Sequence, residues 1–216
     1  MPVIGGWRHA RGMRPDLRAE LLDRADRDQA ARGMPEPEWE TVASVDAGNL
    51  VWLKEVVAEV GWPGRSAVGE DGAHAAWLLA QHADSDPAFQ RKCLDLVTHA
   101  AACGEASSVE LAYLTDRVLL AEGKAQEYGT QFTGRQGRWV PRRLRDPDNV
   151  DERRAAMGLD TLADNMARMA AEYGLPKPAN ITCAECASSI EVWLPEEGEA
   201  HHIRCAACGW TTTASW

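Results

Sequence analysis

The sequence lacks any long apolar run, and no stretch approaches the roughly 20 consecutive apolar residues that cross a bilayer. Residues 1–15 also lack the apolar core of a secretory signal, and their charges follow rather than precede the few apolar residues. We therefore expect a cytoplasmic protein without membrane association.

Positive charge is scarce as well. The chain has 33 Asp and Glu residues against 23 Lys and Arg residues, so its net charge is −10. Such a field repels phosphate backbones, and nucleic-acid binding is therefore disfavoured. The exception is the arginine-rich segment 135–145 around Trp139. It is typical either of an exposed hairpin or of a surface that binds anions or acidic partners.

Internal repeats and low-complexity tracts are absent, and most of the chain shows the spacing of apolar residues that is typical of amphipathic helices. We predict a mainly α fold: an α-helical domain over residues 1–175, with a short hairpin or loop at 126–144, followed by a small β zinc ribbon over 176–216. The predicted helices cover about 15–32, 46–60, 70–82, 86–104 and 107–123, with two further helices closing the domain.

Four of the six cysteines form two CxxC pairs after a proline-containing linker, residues 174–180. Cys183 and Cys186 are separated by 18 residues from Cys205 and Cys208, which is the spacing of a four-cysteine zinc site. We predict one structural Zn²⁺ per chain. Because the ribbon has few apolar side chains, the metal should supply most of its stability, about 10–16 kcal/mol by comparison with zinc-finger peptides.

Other interpretations of these cysteines are weaker. A redox CxxC would need a βαβ unit, which the sequence does not predict. His201 and His202 could compete as ligands, but four thiolates already complete a tetrahedron. The ribbon is acidic, so we expect it to dock a protein partner, with an exposed apolar patch that includes Trp210 or Trp216.

Four stretches of the chain carry a family resemblance: "DRDQAAR" (26–32), "GWPGRSAVGEDGAHAAWLLAQHADSDPAFQ" (61–90), "AYLTDRVLLAEGKAQEYGTQF" (112–132) and "DPDNVDERRAAMGLDTLAD" (146–164). On them the chain resembles an uncharacterised bacterial family catalogued as domain of unknown function 6624. The resemblance implies a compact, mostly α-helical fold and implies no activity. The zinc ribbon lies outside the family pattern.

The "QHAD" segment, residues 81–84, raises two hypotheses. His82 falls in the last turn of a helix, where the helix dipole favours a cation, and Asp84 is close enough to orient its ring. A His–carboxylate pair serves general acid–base catalysis, but it also serves a structural helix end. Asp86, which precedes Pro87, is simplest as the cap of the next helix, and Ser107 with Glu110 is typical of a capping box at the start of the helix after it.

Further polar residues are candidates for a ligand site. Arg117 flanks an apolar helix face, so it either has an acidic partner or holds an anionic group of a ligand. The remaining candidates are ordinary polar residues by spacing alone, and they serve either a pocket or the local backbone. They are Asp28, Gln29, Gln81, Asp116, Gln126, Tyr128 and Gln131.

Two functions from different classes follow. The first is a binding or adaptor protein, whose ribbon docks a partner and whose helical domain holds a small polar or anionic ligand. The second is an enzyme, a hydrolase or lyase, with His82 as acid or base, Asp84 orienting it and Arg117 holding an anionic group. The enzyme hypothesis predicts that His82, Asp84, Arg117 and Tyr128 converge on one concave pocket.

Overall fold

Helices dominate the part of the chain that the structure, a computed structural model, describes, which is residues 12–33, 37–192 and 200–215. The prediction of a mainly α fold with small strand pairs is therefore confirmed. The helices are α1 (Pro15–Arg32), α2 (Trp39–Val60), α3 (Arg65–Gln81), α4 (Pro87–Ala102), α5 (Ser108–Ala121), α6 (Val150–Ala156) and α7 (Leu162–Tyr173). The strands are β1 (Phe132–Arg135), β2 (Arg138–Pro141), β3 (Ala179–Thr182), β4 (Ser189–Val192), β5 (Ala200–Arg204) and β6 (Thr211–Ser215).

The core lies among α1 to α5, where apolar side chains from all five helices meet. Leu21, Leu53, Leu79, Val97 and Leu114 are at most 2% exposed. Burying a side chain of this size stabilises the fold by about 1.5–3 kcal/mol. The helical domain therefore has a core of its own.

Two helix boundaries differ from the prediction. Helix α2 begins at Trp39 rather than near residue 46, and α3 begins at Arg65 rather than near residue 70. The spacing of apolar residues did not predict the first turn of α3, because Gly69, with φ of 77°, interrupts the helix after that turn. At the other helix starts, the Asp86 side chain accepts a hydrogen bond from the Phe89 backbone N–H at 2.9 Å, and Ser107 with Glu110 forms the predicted capping box.

Between α5 and α6 the chain forms an ordered loop and a short hairpin. Strands β1 and β2 pair antiparallel, with Gly134 opposite Trp139. The Trp139 ring N–H donates to the Gly174 carbonyl oxygen at 2.8 Å, so the hairpin is bound to the end of α7. Across the described residues, no helix combines the length and the apolar character that a bilayer span requires.

The C-terminal segment forms two antiparallel hairpins. Strand β3 pairs with β4, and β5 pairs with β6. Residues 193–199, between the two hairpins in sequence, lie outside the described residues, as does Trp216. Trp210 is half-buried.

Candidate functional site

The four ribbon cysteines meet at one point. The Sγ atoms of Cys183 and Cys208 are 3.6 Å apart, as are those of Cys186 and Cys205, and all four sulfurs lie within 4.8 Å of one another. A tetrahedron with metal–sulfur bonds of 2.3 Å has sulfur–sulfur edges of about 3.8 Å. The cluster therefore has the dimensions that a single metal ion requires.

Two similar turns place these sulfurs. The Ala187 N–H donates to the Cys183 carbonyl at 3.0 Å, and the Gly209 N–H donates to the Cys205 carbonyl at 2.9 Å. Both residues adopt positive φ, 57° at Ala187 and 79° at Gly209. Glycine adopts this conformation without strain in the second turn, whereas the alanine in the first turn adopts it at a cost of about 1–2 kcal/mol.

Two of the four thiols have pKa values shifted in opposite directions. Hydrogen bonds with the Ser188 hydroxyl and its backbone N–H lower the pKa of Cys186 to about 6. At Cys208 a hydrogen bond from the Trp210 backbone lowers the pKa, but burial and the other three sulfurs outweigh it and raise the pKa to about 12. The thiolate is the form that binds metal. Nδ1 of His202 lies 3.0 Å from the Thr213 hydroxyl across the β5–β6 pair. His202 is therefore engaged on the sheet, while the His201 side chain is outside the described residues.

In the helical domain, His82 pairs with a different carboxylate from the one predicted. Its Nδ1 lies 2.9 and 3.0 Å from the two oxygens of Asp28, which is fully buried. Asp84 does not orient His82, because the Arg117 guanidinium holds the Asp84 carboxylate through its Nε at 2.8 Å and through a second short bond. The packing of α1 against α3 creates the His82–Asp28 pair across 54 positions of sequence.

Asp28 belongs to a larger ion-pair network. Arg32 donates to Asp28 at 2.6 Å and to both oxygens of Asp46 at 2.8 Å, and the Gln29 amide donates to Asp28 at 2.9 Å. Burial raises the pKa of Asp28, but His82, Gln29 and Arg32 outweigh burial and hold it below the ordinary value. Asp28, Asp46 and His82 have ligand-type atoms within 4.8 Å of one another. Because Arg32 already bridges the two carboxylates, the group is an ion-pair network rather than a metal site.

Asp84 and Arg117 line a cavity of about 260 Å³. Its other lining residues are Leu120, Ala121, Gln131 and Arg142. Burial raises the pKa of Asp84, but Arg117, Gln90 and His82 hold it below the ordinary value. Of the four residues predicted to converge, Asp84 and Arg117 line this cavity, whereas His82 and Tyr128 do not.

Asp116 and Gln126 build the loop that follows α5. Asp116 is fully buried and accepts hydrogen bonds from the backbone N–H groups of residues 127, 128 and 130 and from the Thr130 hydroxyl. The Gln126 amide donates to the carbonyls of Gln131 at 3.0 Å and Arg142 at 2.8 Å. These two candidates therefore satisfy backbone groups and are not placed to bind a ligand.

Gly129 and Tyr128 complete this loop. Gly129 has φ of 67°, a conformation that strains any other residue, and a Cβ there would lie 2.9 Å from Leu162 Cδ1, so the Leu162 side chain would have to move. Burial raises the pKa of Tyr128, whose backbone N–H is held by Asp116. The loop brings Gln131 to the cavity, where its side-chain oxygen accepts from Arg117 at 3.3 Å.

Two important residues escaped the sequence analysis. Arg154 is fully buried and donates to the carbonyls of Tyr128 at 2.7 Å and Asp160 at 2.6 Å. Gln90 is 1% exposed and donates from its amide to Asp84 Oδ1 at 3.0 Å and to the Gln81 carbonyl at 3.1 Å. For Gln90, the sequence offered one indication of its role, a polar residue on the apolar face of α4.

The buried amides next to this region have spare acceptors. Gln81, which is 5% exposed, and Gln90 each have a buried side-chain oxygen without a hydrogen-bond partner among the described residues. A buried acceptor without a donor is costly, typically by about 1–3 kcal/mol. Both oxygens can accept a hydrogen bond from water or from a ligand.

Several arginines of the 135–145 segment have partners. Arg145 pairs with Glu127, Arg143 reaches the Gly123 carbonyl at 3.5 Å, and Arg142 lines the cavity. Arg135 and Arg138 are exposed on the hairpin. The arrangement fits the interpretation as an exposed hairpin more closely than a continuous basic surface.

The architecture and the sulfur cluster define a mainly α-helical protein with a four-cysteine site that can hold a metal ion. Residues 15–177 match the model described as "Family of unknown function (DUF6624)", which is more than half of the chain. The protein belongs to this family. No curated protein and no solved structure matches the chain.

Proposed function

We propose that the protein is a cytoplasmic zinc-binding protein whose helical domain binds a small polar or anionic ligand. The observation that supports zinc is the cluster of four sulfurs at tetrahedral separations. Four thiolates complete the coordination of Zn²⁺, so the ion is structural and leaves no position for a substrate. The boundary between the helical domain and the ribbon lies at about residue 175.

Metal analysis of the purified chain tests the proposal of a zinc site. We expect one zinc per chain, released by chelators and lost in Cys186→Ser. The Cys103→Ser variant is a matched control, because Cys103 is an exposed cysteine outside the cluster. A chain that carries another metal, or zinc that persists without Cys186, contradicts the proposal.

The cavity at Asp84 and Arg117 supports the ligand-binding part. Its volume of about 260 Å³ is at the small end of ligand pockets. Two arginines, Arg117 and Arg142, line it together with Asp84. An anionic group could compete with Asp84 for the fork of Arg117.

Binding of small anions tests the cavity. Acetate, succinate and inorganic phosphate, titrated separately, should shift the NMR signals of residues 84, 117 and 131. The Arg117→Gln variant should abolish the shifts. Arg91→Gln is a matched control, since Arg91 also pairs with a carboxylate, Glu122, at the edge of the helices. Equal shifts in both variants contradict the assignment.

The second candidate is an enzyme of the hydrolase or lyase class that uses His82, with Arg117 holding an anionic group. The observation that favours it is the His82–Asp28 pair, in which a nearly buried imidazole is fixed by a fully buried carboxylate. The ribbon serves as a docking module for a protein partner in either case, and its acidic character disfavours nucleic acid.

A further inference from the structure

We propose that the helical domain has a further ligand site, which binds a small zwitterion carrying an ammonium and a carboxylate group, as free amino acids and short peptides do. The site is a cavity of about 520 Å³ between the first half of α3 and the start of α5. It shares no lining residue with the cavity at Asp84 and Arg117. The inference therefore goes beyond the proposed function and does not depend on it.

Charged side chains of both signs line this cavity. Its volume falls within the range of about 300–1,000 Å³ that is usual for ligand pockets. The polar residues that line it are Arg65, Glu70, Asp71, His74, Ser107 and Glu110. A ligand with one charge would meet like charge on part of this wall, whereas a ligand with both charges can be matched on each side.

Two of the three lining carboxylates are already engaged. Asp71 accepts two hydrogen bonds from the Arg18 guanidinium, one of them at 2.9 Å. Glu110 has one oxygen 2.8 Å from His74 Nδ1, and its other oxygen accepts from the Ser107 backbone N–H at 3.4 Å. These two carboxylates shape the cavity, and the capacity to bind a new charge lies with the remaining pair.

Arg65 and Glu70 form that remaining pair, and they hold each other only loosely. The distance between Arg65 Nη2 and Glu70 Oε1 is 3.5 Å, which is longer than an ordinary hydrogen bond. The two side chains are 39% and 84% exposed, and neither has another partner among the described residues. An exposed pair of this kind contributes little stability, so a ligand can separate its members at small cost.

A zwitterion can replace both halves of this pair at once. Its carboxylate accepts from the Arg65 guanidinium and its ammonium donates to Glu70, so that positive and negative groups alternate. The start of α3 is fixed for this purpose, because the Arg65 backbone N–H donates to the Glu105 carbonyl at 3.0 Å. Nε2 of His74, which contacts none of the described residues, gives the ligand a further hydrogen-bonding position.

NMR titration of the zinc-loaded full chain with four probes tests the site. L-alanine carries both charges, propionate lacks the ammonium group, ethylammonium lacks the carboxylate, and alanyl-alanine places the two charges farther apart. We expect L-alanine to shift the signals of residues 65, 70, 74 and 107. Each singly charged probe should bind there about tenfold more weakly, because it loses a charge-assisted hydrogen bond. The tighter binder of L-alanine and alanyl-alanine shows whether the ligand is a free amino acid or a short peptide.

Variants of the exposed pair give a second test. Arg65→Gln and Glu70→Gln should each weaken the binding of L-alanine by a similar factor. Arg14→Gln is the matched control, since Arg14 and Glu59 form an exposed pair at 3.6 Å that does not line the cavity. Arg117→Gln, which alters the other cavity, should also leave this binding unchanged. The proposal is overturned if L-alanine shifts none of these signals, if propionate or ethylammonium binds as tightly, or if Arg14→Gln causes an equal loss.

Discussion

The ribbon and the helical domain are stabilised in opposite ways. In the helical domain, apolar side chains from five helices form a common core. In the described part of the ribbon, the buried residues are Cys183, Cys205 and Ile203, two of which are metal-ligand candidates. The comparison teaches that the described part of the ribbon lacks the buried apolar surface that stabilises the helical domain, while its four sulfurs lie where a metal ion could supply stability instead.

Loss of the metal gives the largest expected effect. Cys183→Ser or chelation should unfold the ribbon, because about 10–16 kcal/mol of folding free energy comes from the metal. The helical domain should keep its thermal transition. Far-UV circular dichroism reports the helices, and NMR of residues 200–213 reports the ribbon. An ordered ribbon in metal-free protein would break the comparison.

Removal of the buried Arg154 should be the next largest effect. Arg154→Leu leaves the carbonyls of Tyr128 and Asp160 without their donors, and we expect a loss of about 4 kcal/mol in the free energy of unfolding of the helical domain. Urea denaturation of zinc-saturated protein measures it. Arg135→Leu, at an exposed position of the hairpin, should change little, and equal losses would contradict the loop's dependence on Arg154.

Truncation of a core side chain tests the other part of the comparison, the helical domain. Leu53→Ala should cost the helical domain about 3 kcal/mol, since Leu53 is fully buried. Zinc content should remain at one per chain. Leu175→Ala, at a residue that is 64% exposed, provides the control. If Leu53→Ala released zinc, the two parts would not be independently stabilised.

The smallest expected effect depends on pH. The hydrogen bond to Glu110 raises the pKa of His74 above its ordinary 6.5, so this pair contributes stability that is fully present below pH 6.5 and is lost as the pH rises through the raised pKa. The melting temperature of wild type minus that of His74→Gln should therefore be larger below this range than above it. His202→Gln, in the ribbon, should show no such difference in the helical transition.

How far the sequence predicts the molecule differs between the two sites. The four sulfurs were predictable, because each CxxC pair is local and the chain needs only one turn to bring two thiolates together. His82 was found as a candidate for the same reason, but its partner was predicted wrongly. Asp84 is adjacent in sequence, whereas Asp28 arrives through the packing of another helix.

The same distinction applies to the loop after α5. The polar side chains in and beside this loop suggested a ligand site. Instead, Asp116 accepts a hydrogen bond from the backbone N–H of Glu127, and Gln126 donates one to the carbonyl of Arg142. The sequence did not reveal the role of Arg154, because its partners lie far away along the chain. They are the carbonyls of Asp160, Gly129 and Tyr128, at 6, 25 and 26 positions. Sequence spacing does not report which buried donors a loop needs.

By itself, the sequence determined the mainly α fold, the four-cysteine cluster and the helix caps at Asp86 and Ser107. Each of these depends on residues within one turn or on the period of one helix, which the order of residues specifies directly. The tertiary structure alone decided that Asp28 serves His82, that Arg117 holds Asp84, and that a cavity opens between α5 and the hairpin. These contacts depend on how separate helices pack, and packing is set by the whole core at once.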